Sequence, residues 1–400
     1  MNSQAFIDYQ ELDHQYYLPV FKRLPLTLVR GRGSRVWDDR GNEYIDVMAG
    51  IAVNSAGHCH PHIVEAIQKQ AAELIHISNF FISKPQIVLA EKLAQRSGLD
   101  RVFFANSGAE SNEGAIKIAR KYAHHHKRGG DIISFTGSFH GRTMATIATG
   151  KKKMQEGFEP IPKGFRQVEF NNLEALRSAI DPDVAAIMIE PVQGEGGIHL
   201  ADASFMKALR EICDEKNIVL IFDEIQCGMG RTGYFFAKEY FGVEPDILTA
   251  AKALGGGVPI GAILTNEKVA GTLEAGDHGT TFGGNPLVTA AALATIEVID
   301  QEDLMAKAHE KGAWLKQQIQ QNKPEQYGIR EVRGLGLMIG IEFKFETKPL
   351  MQKMMEKGVL ANATAENVLR LVPPLNIPYP DLERTLDVMY ESIKEIRSYD

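Results

Sequence analysis

The chain carries three cysteines in 400 residues, Cys59, Cys213 and Cys227, odd in number and far apart. That argues against a disulfide framework and fits a reducing, cytoplasmic setting. No run approaches the ~18 apolar residues that a membrane span needs. The first residues, "MNSQAFIDYQELDHQYY", lack a basic region and an apolar region, so no signal peptide is expected. No Lys/Arg block exceeds Lys151 to Lys153, and the formal net charge is -7 with a pI of about 6.0. Neither nucleic acid nor an anionic membrane is therefore an expected partner. Internal repeats and low-complexity linkers are also missing.

What is present is a globular composition, 44% hydrophobic and 24% charged, over a length that implies two domains or one with an appendage. Short alternating strands with a turn at Arg40-Gly41 are expected around "SRVWDDRGNEYIDV". The middle holds short apolar runs at 101–106, 131–137, 185–192, 218–225 and 245–252. Helical stretches such as "SNEGAIKIARKYAHHH" and "ASFMKALREICDEK" lie between most of them. Continuously apolar strands alternating with helices predict an α/β fold with a mostly parallel sheet covered on both faces. Beyond about residue 290 the pattern predicts one long helical stretch over 286–320, a strand over 334–343 and a last strand near "NVLRLVPP". The expected division is an N-terminal segment 1–60 contributing to a small domain, a large domain 61–300, and a small α+β domain 301–400.

Ligands of open parallel sheets bind beyond the carboxyl ends of the strands, so the residues where each apolar run stops come first. They are Asn106-Ser107-Gly108-Ala109-Glu110, Gly137 to Arg142, Glu190 with Gln193-Gly194-Glu195, then Asp223, Glu224 and Gln226, and finally Lys252. Lys252 is the odd member, a lone charge among alanines ahead of Gly255, Gly256 and Gly257. A desolvated lysine has a lowered pKa and attacks carbonyls. Pyridoxal phosphate offers such a carbonyl and makes three further demands. Its phosphate wants N–H groups at a helix N-terminus, as "NSGAESNEGAIKIA" supplies. Its ring nitrogen wants a buried carboxylate, for which Asp223 is the candidate. Its ring wants an apolar cover, for which Phe139 is placed.

Six segments in this order, "NSGAESNE", "FHGRT", "EPVQGEGG", "DEIQCGMGRTG", "AKALGGGVPIGA" and "TFGGNPL", resemble the class III (ornithine-type) pyridoxal-phosphate aminotransferases of fold type I. The resemblance runs from "WDDRGNEYIDVMAGIAVNSAGHCHP" to "VLRLVPPL". It implies a large domain with a seven-stranded type of sheet and a smaller α+β domain. It implies that Lys252 bonds the cofactor and then serves as general base, that Asp223 pairs with the ring nitrogen, and that Gln226 lies near the ring hydroxyl. It further implies a phosphate cradle at Ser107, Gly108 and Ala109, ring cover by Phe139, and Thr281 reaching the phosphate from a neighbouring subunit of a homodimer with shared active sites. Arg142 and Thr280 would bind substrate, and Glu195 and Arg370 would form a pair that opens and closes between an amino donor and 2-oxoglutarate.

Other chemistries fit less well. "GMGRTG" (228–233) matches a dinucleotide fingerprint, but a charged "DEIQC" separates it from the strand and no ribose-binding acid follows, so a nicotinamide-dependent oxidoreductase is disfavoured. "HCHPH" falls in a turn with spacings unlike a tetrahedral metal site, and "HHH" lies along a predicted helix, where consecutive residues point different ways. Cys227 has no evident partner for nucleophilic work. Within the family, Ile51 stands where members acting on free ornithine usually carry an aromatic residue. The segments resemble those acting on N-acylated ornithine, in arginine biosynthesis, with succinylornithine and 4-aminobutyrate as alternatives.

Overall fold

The structure, a computed structural model, describes residues 9–397. The first eight residues of the expected N-terminal segment and the last three of the C-terminal domain lie outside the described residues.

A seven-stranded sheet forms the centre. From edge to edge its strands are Arg101–Ala105, Gly261–Thr265, Ile247–Ala250, Val219–Asp223, Val184–Ile189, Asp131–Phe135 and Phe165–Val168. Five of these are the apolar runs expected from sequence. Gly261–Thr265 and Phe165–Val168 are additional. Gly261–Thr265 runs antiparallel to both of its neighbours, whereas the other pairings are parallel. Alternation along the strands feeds two cores. Ile133, Ile187, Leu220 and Phe222 face Phe205, Leu209 and Ile212 of the helix Ala203–Lys216. Ala186, Met188 and Ile221 face Ile116, Ala119 and Ala123 of the helix Gly108–His125. Each isoleucine, leucine, methionine or phenylalanine among them removed from water contributes roughly 1.5–3 kcal/mol. The three central strands are buried at every position, which is why they read as unbroken apolar runs.

Two expectations past residue 285 change. The stretch 286–320 is two helices, Pro286–Gln301 and Leu304–Gln321, broken where Asp303 takes φ 51°. The strand expected over 334–343 is a hairpin of Ile329–Leu335 and Met338–Phe343. Its turn is at Gly336, φ 55°, where a Cβ would lie 2.4 Å from the Thr232 carbonyl carbon. Val368–Leu371 and Asn362–Thr364 complete that antiparallel sheet. Near the N-terminus, the strands Leu28–Arg32, Arg35–Asp38 and Glu43–Asp46 form a sheet with Val359–Leu360, the last joining in parallel.

The segment "GMGRTG" is a loop. Its Arg231 is fully buried and donates from Nη1 to the carbonyls of Leu337 (3.0 Å) and Pro373 (2.6 Å) and from Nη2 to Ser55 Oγ (2.9 Å). One guanidinium thus ties the loop after Asp223 to the N-terminal segment and the C-terminal hairpin. Burial without a counter-ion lowers its pKa to about 9.

Candidate active site

A cavity of about 460 Å³ opens at the carboxyl ends of the central strands. Ser107, Gly108, Ala109, Phe139, Arg142, Asp223, Gln226 and Lys252 all line it. Eight of the twelve site residues expected from sequence therefore meet at one place. The volume falls in the ordinary range for small-molecule sites.

Lys252 leaves the strand Ile247–Ala250 with φ 45°, a conformation a side chain adopts at a cost of about 1–3 kcal/mol. Burial lowers its pKa below the ordinary lysine value, against the opposing charges of Asp223, Glu195 and Glu190, with Arg370 adding to the lowering. Asp223 ends the strand Val219–Asp223 and is buried. Asn112 Nδ2 donates to its Oδ2 at 2.8 Å, His140 Nδ1 lies 2.7 Å from the same oxygen, and the Ile225 N–H donates to Oδ1 at 3.0 Å. Thr249 Oγ1 in turn donates to Asn112 Oδ1 at 2.7 Å. Burial lowers the His140 pKa, but the hydrogen bond and charge of Asp223 and the charge of Glu190 outweigh it, so the net shift is upward.

The helix Gly108–His125 opens at the cavity with Ser107 as its N-cap, whose Oγ accepts the Glu110 N–H at 3.2 Å. The free N–H groups of its first turn carry the positive end of the helix dipole. Phe139 is half-buried in the wall, and the Arg142 guanidinium stands 5.3 Å from its ring centroid at the mouth.

The remaining expected residues lie outside the lining. Arg370 is fully buried; its Nη1 pairs with Glu195 Oε1 (2.5 Å) and donates to the Gly194 carbonyl and Gln226 Oε1 (both 3.2 Å). Burial raises the Glu195 pKa, but the charge and hydrogen bond of Arg370, with Lys252 and Gln226, pull it below the ordinary value. Thr280 Oγ1 accepts from Asn106 Nδ2 at 3.2 Å, next to the cradle. Thr281 is exposed and does not line this chain's cavity.

Sequence reasoning gave no role to Asn112, His140 or Glu190. His140 and Glu190 follow strand ends and could have been found there. Asn112 carries no local signal, since its partner Asp223 is 111 positions away. The three histidines of "HCHPH" go to separate carboxylates: His58 to Asp46, His60 to Glu302 and His62 to Glu297.

A desolvated amine, a fixed buried carboxylate, a helix N-terminus and an aromatic wall around one cavity are the donor set that pyridoxal phosphate requires, and the residues fit it. Fold and site together define a pyridoxal-phosphate transferase of fold type I. The chain belongs to the aminotransferase class-III family, whose model matches residues 17–393, and it is a pyridoxal-phosphate-dependent transaminase. It is 55% identical to the acetylornithine aminotransferase of Methanocaldococcus jannaschii, covering 99% of this chain and 100% of that one. Among solved structures it is similar to the Toxoplasma gondii ornithine aminotransferase, with a TM-score of 0.94, 34% identity, and coverage of 98% and 96% of the two chains. It also resembles the N-acetylornithine aminotransferase of Stenotrophomonas maltophilia, with a TM-score of 0.84, 38% identity, and coverage of 98% and 100%.

Proposed function

We propose that the protein moves the terminal amino group of N-acetylornithine to 2-oxoglutarate, giving the N-acetylated semialdehyde and glutamate in arginine biosynthesis. The observation that carries this reading is the full-length 55% identity to an acetylornithine aminotransferase, together with the shared donor set around Lys252.

In this reading Asp223 holds the cofactor ring nitrogen, the Gly108 and Ala109 amides with Ser107 hold its phosphate, Gln226 sits by its hydroxyl and Phe139 covers its face. Bound pyridoxal phosphate supplies an electron sink for negative charge on the substrate carbon. Lys252 Nζ takes the proton from the substrate carbon that bears the amine, and its lowered pKa keeps the free base available. Asn112, His140 and the Ile225 N–H fix the Asp223 carboxylate, so no solvent need reorganise during the reaction. Arg142 at the mouth binds the donor's carboxylate. Glu195 neutralises Arg370 while the donor is bound, and yields it to the second carboxylate of 2-oxoglutarate. Thr280 stands close by to contact substrate.

The working unit in this reading is a homodimer in the cytoplasm, with Thr281 reaching the partner's phosphate site. Supporting it, Phe80 (93% exposed), Ile82 (84%) and Phe282 (60%) present an apolar surface beside Thr281. Asn79 Nδ2 holds the two segments together through the Thr280 and Gly283 carbonyls. Contiguous exposed apolar surface of this kind marks an interface. Three free cysteines agree with a reducing compartment. Among the described residues no helix is long and apolar enough to cross a membrane. We also divide the chain into a cofactor-binding domain over 61–300 and a small domain over 301–400 joined by the N-terminal segment, a division supported by the parallel pairing of Val359–Leu360 with Glu43–Asp46.

The test is the visible spectrum of the purified holoprotein during single half-reactions. N-acetylornithine should bleach the yellow band and 2-oxoglutarate should restore it. A band that responds to 4-aminobutyrate or succinylornithine and ignores N-acetylornithine refutes the substrate while leaving the class.

A further inference from the structure

Glu190 follows the strand Val184–Ile189, is buried, and lines the cavity, yet none of the roles above uses it. Both of its oxygens are engaged by backbone. Oε1 accepts the Phe139 N–H at 2.8 Å and Oε2 accepts the Gly194 N–H at 2.9 Å. Phe139 covers the cofactor site. Gly194 belongs to the loop of the Glu195–Arg370 pair, and its carbonyl accepts from Arg370 Nη1. The Gly194 residue is therefore fixed on one side by Glu190 and on the other by the substrate arginine. A second bond joins the same two loops, from Gln193 Nε2 to the Thr136 carbonyl at 2.8 Å.

We propose that Glu190 is a positioning residue that sets the ring-covering loop and the Glu195–Arg370 pair in register with each other. The inference rests on the functional reading above. A carboxylate suits the task because it accepts on both oxygens, whereas an amide offers one acceptor and one donor. Glutamine at this position must point its NH₂ at one of the two N–H groups, and that loop then loses its anchor. Because the loops are also joined by Gln193, loss of one anchor is transmitted to the other. Burial raises the carboxyl of Glu190 to about 7, with the charge of Asp223 adding to the rise while His140 and the two N–H donors oppose it, so the doubly accepting carboxylate is the form present above that pH, where the binding constants are compared.

The experiment compares wild type, Glu190→Gln, Phe139→Ala and Arg370→Lys. Two dissociation constants are measured: pyridoxal phosphate on the apoprotein, and glutarate (a dicarboxylate without the keto group) on the holoprotein by calorimetry. Phe139→Ala should weaken only the first and Arg370→Lys only the second. Glu190→Gln should weaken both, by about tenfold each, the size of one lost buried hydrogen bond. Where Glu190→Gln fails to fold, Glu190→Asp replaces it. Its carboxylate is one methylene too short to span both amides, and the same paired loss is expected. A merely structural Glu190 would lower the melting temperature and leave both constants in place, and that result overturns the proposal, as does weakening of one constant alone. Wild type that binds neither probe overturns the functional reading and this inference together. Wild type that binds both, with Glu190→Gln unchanged, overturns this inference alone.

Discussion

Gly261→Ala should weaken cofactor binding from a position that touches no cofactor. Gly261 begins the antiparallel strand and stands directly behind the helix N-terminus that lines the cavity. A Cβ there would lie 2.3 Å from Ser111 Oγ and 2.4 Å from the Ser107 carbonyl oxygen. Ser111 can rotate away. The Ser107 carbonyl is about 1 Å inside ordinary contact and can yield only if the Ser107-Gly108 turn moves. Overpacking of this kind costs about 1–3 kcal/mol. Because the movable part is the phosphate cradle, much of that cost should appear as lost affinity. If all of it did, the pyridoxal phosphate dissociation constant would rise about 5- to 150-fold. The assay is titration of the apoprotein with the cofactor, with melting temperature alongside. Gly312→Ala is the control. Its Cβ would meet the Gly336 carbonyl oxygen at 1.9 Å, away from the cavity, and it should lower the melting temperature while leaving cofactor affinity alone. Unchanged affinity in Gly261→Ala, or equal loss in both variants, would refute the reasoning.

Lys252→Ala should keep the fold and lose more than about a thousandfold in kcat, since it removes both the carbonyl-bonding amine and the base. In the wild type, kcat should rise with pH through a midpoint below the ordinary lysine value of 10.5, because burial favours the neutral amine; a midpoint at or above that value contradicts the burial argument. Arg142→Ala should raise KM for the amino donor about tenfold, and an unchanged KM would remove its carboxylate role. Burial raises Glu224 to about 8, against the Ala237 and Lys238 N–H groups it accepts. The folded state then keeps a proton that the unfolded state has released, so this contribution is full below the ordinary carboxylate range and is lost as pH rises through about 8. Wild type should therefore lose about 2 kcal/mol relative to Glu224→Gln between about pH 6 and pH 8, and parallel melting curves across that range would rule the effect out.

The sheet strands visible in the sequence were those dominated by apolar residues, three of them buried at every position and the other two, Arg101–Ala105 and Asp131–Phe135, polar only at or near their ends or at one inward position. Gly261–Thr265 is just as buried, but it follows a glycine-rich segment and carries no mark of its reversed direction. The helix break at Asp303 escaped because periodicity continues on both sides of it, and the hairpin at Gly336 because its first strand, Ile329–Leu335, carries Arg330, Glu331 and Arg333 and offers no apolar run. Within the site, residues at strand ends were legible because topology sends strand ends to ligands. Asn112 and Thr249 were not, since each acts through a partner far along the chain. Thr281 falls outside the cavity, and in the proposed homodimer its target is the partner's phosphate site.

The antiparallel strand has a consequence for the lysine. A parallel continuation would have required a crossover of a dozen or more residues. Instead the strand Ile247–Ala250 and the strand Gly261–Thr265 are hydrogen-bonded neighbours, with Ala250 opposite Ala262. The connection that carries Lys252 is therefore the loop 251–260, anchored at both ends in adjacent interior strands of the sheet. Most surface loops absorb insertions freely. In this one Ala253, Leu254 and Gly255 are buried directly after the lysine, so a residue added between 251 and 255 must displace the amine or the packed turn that holds it.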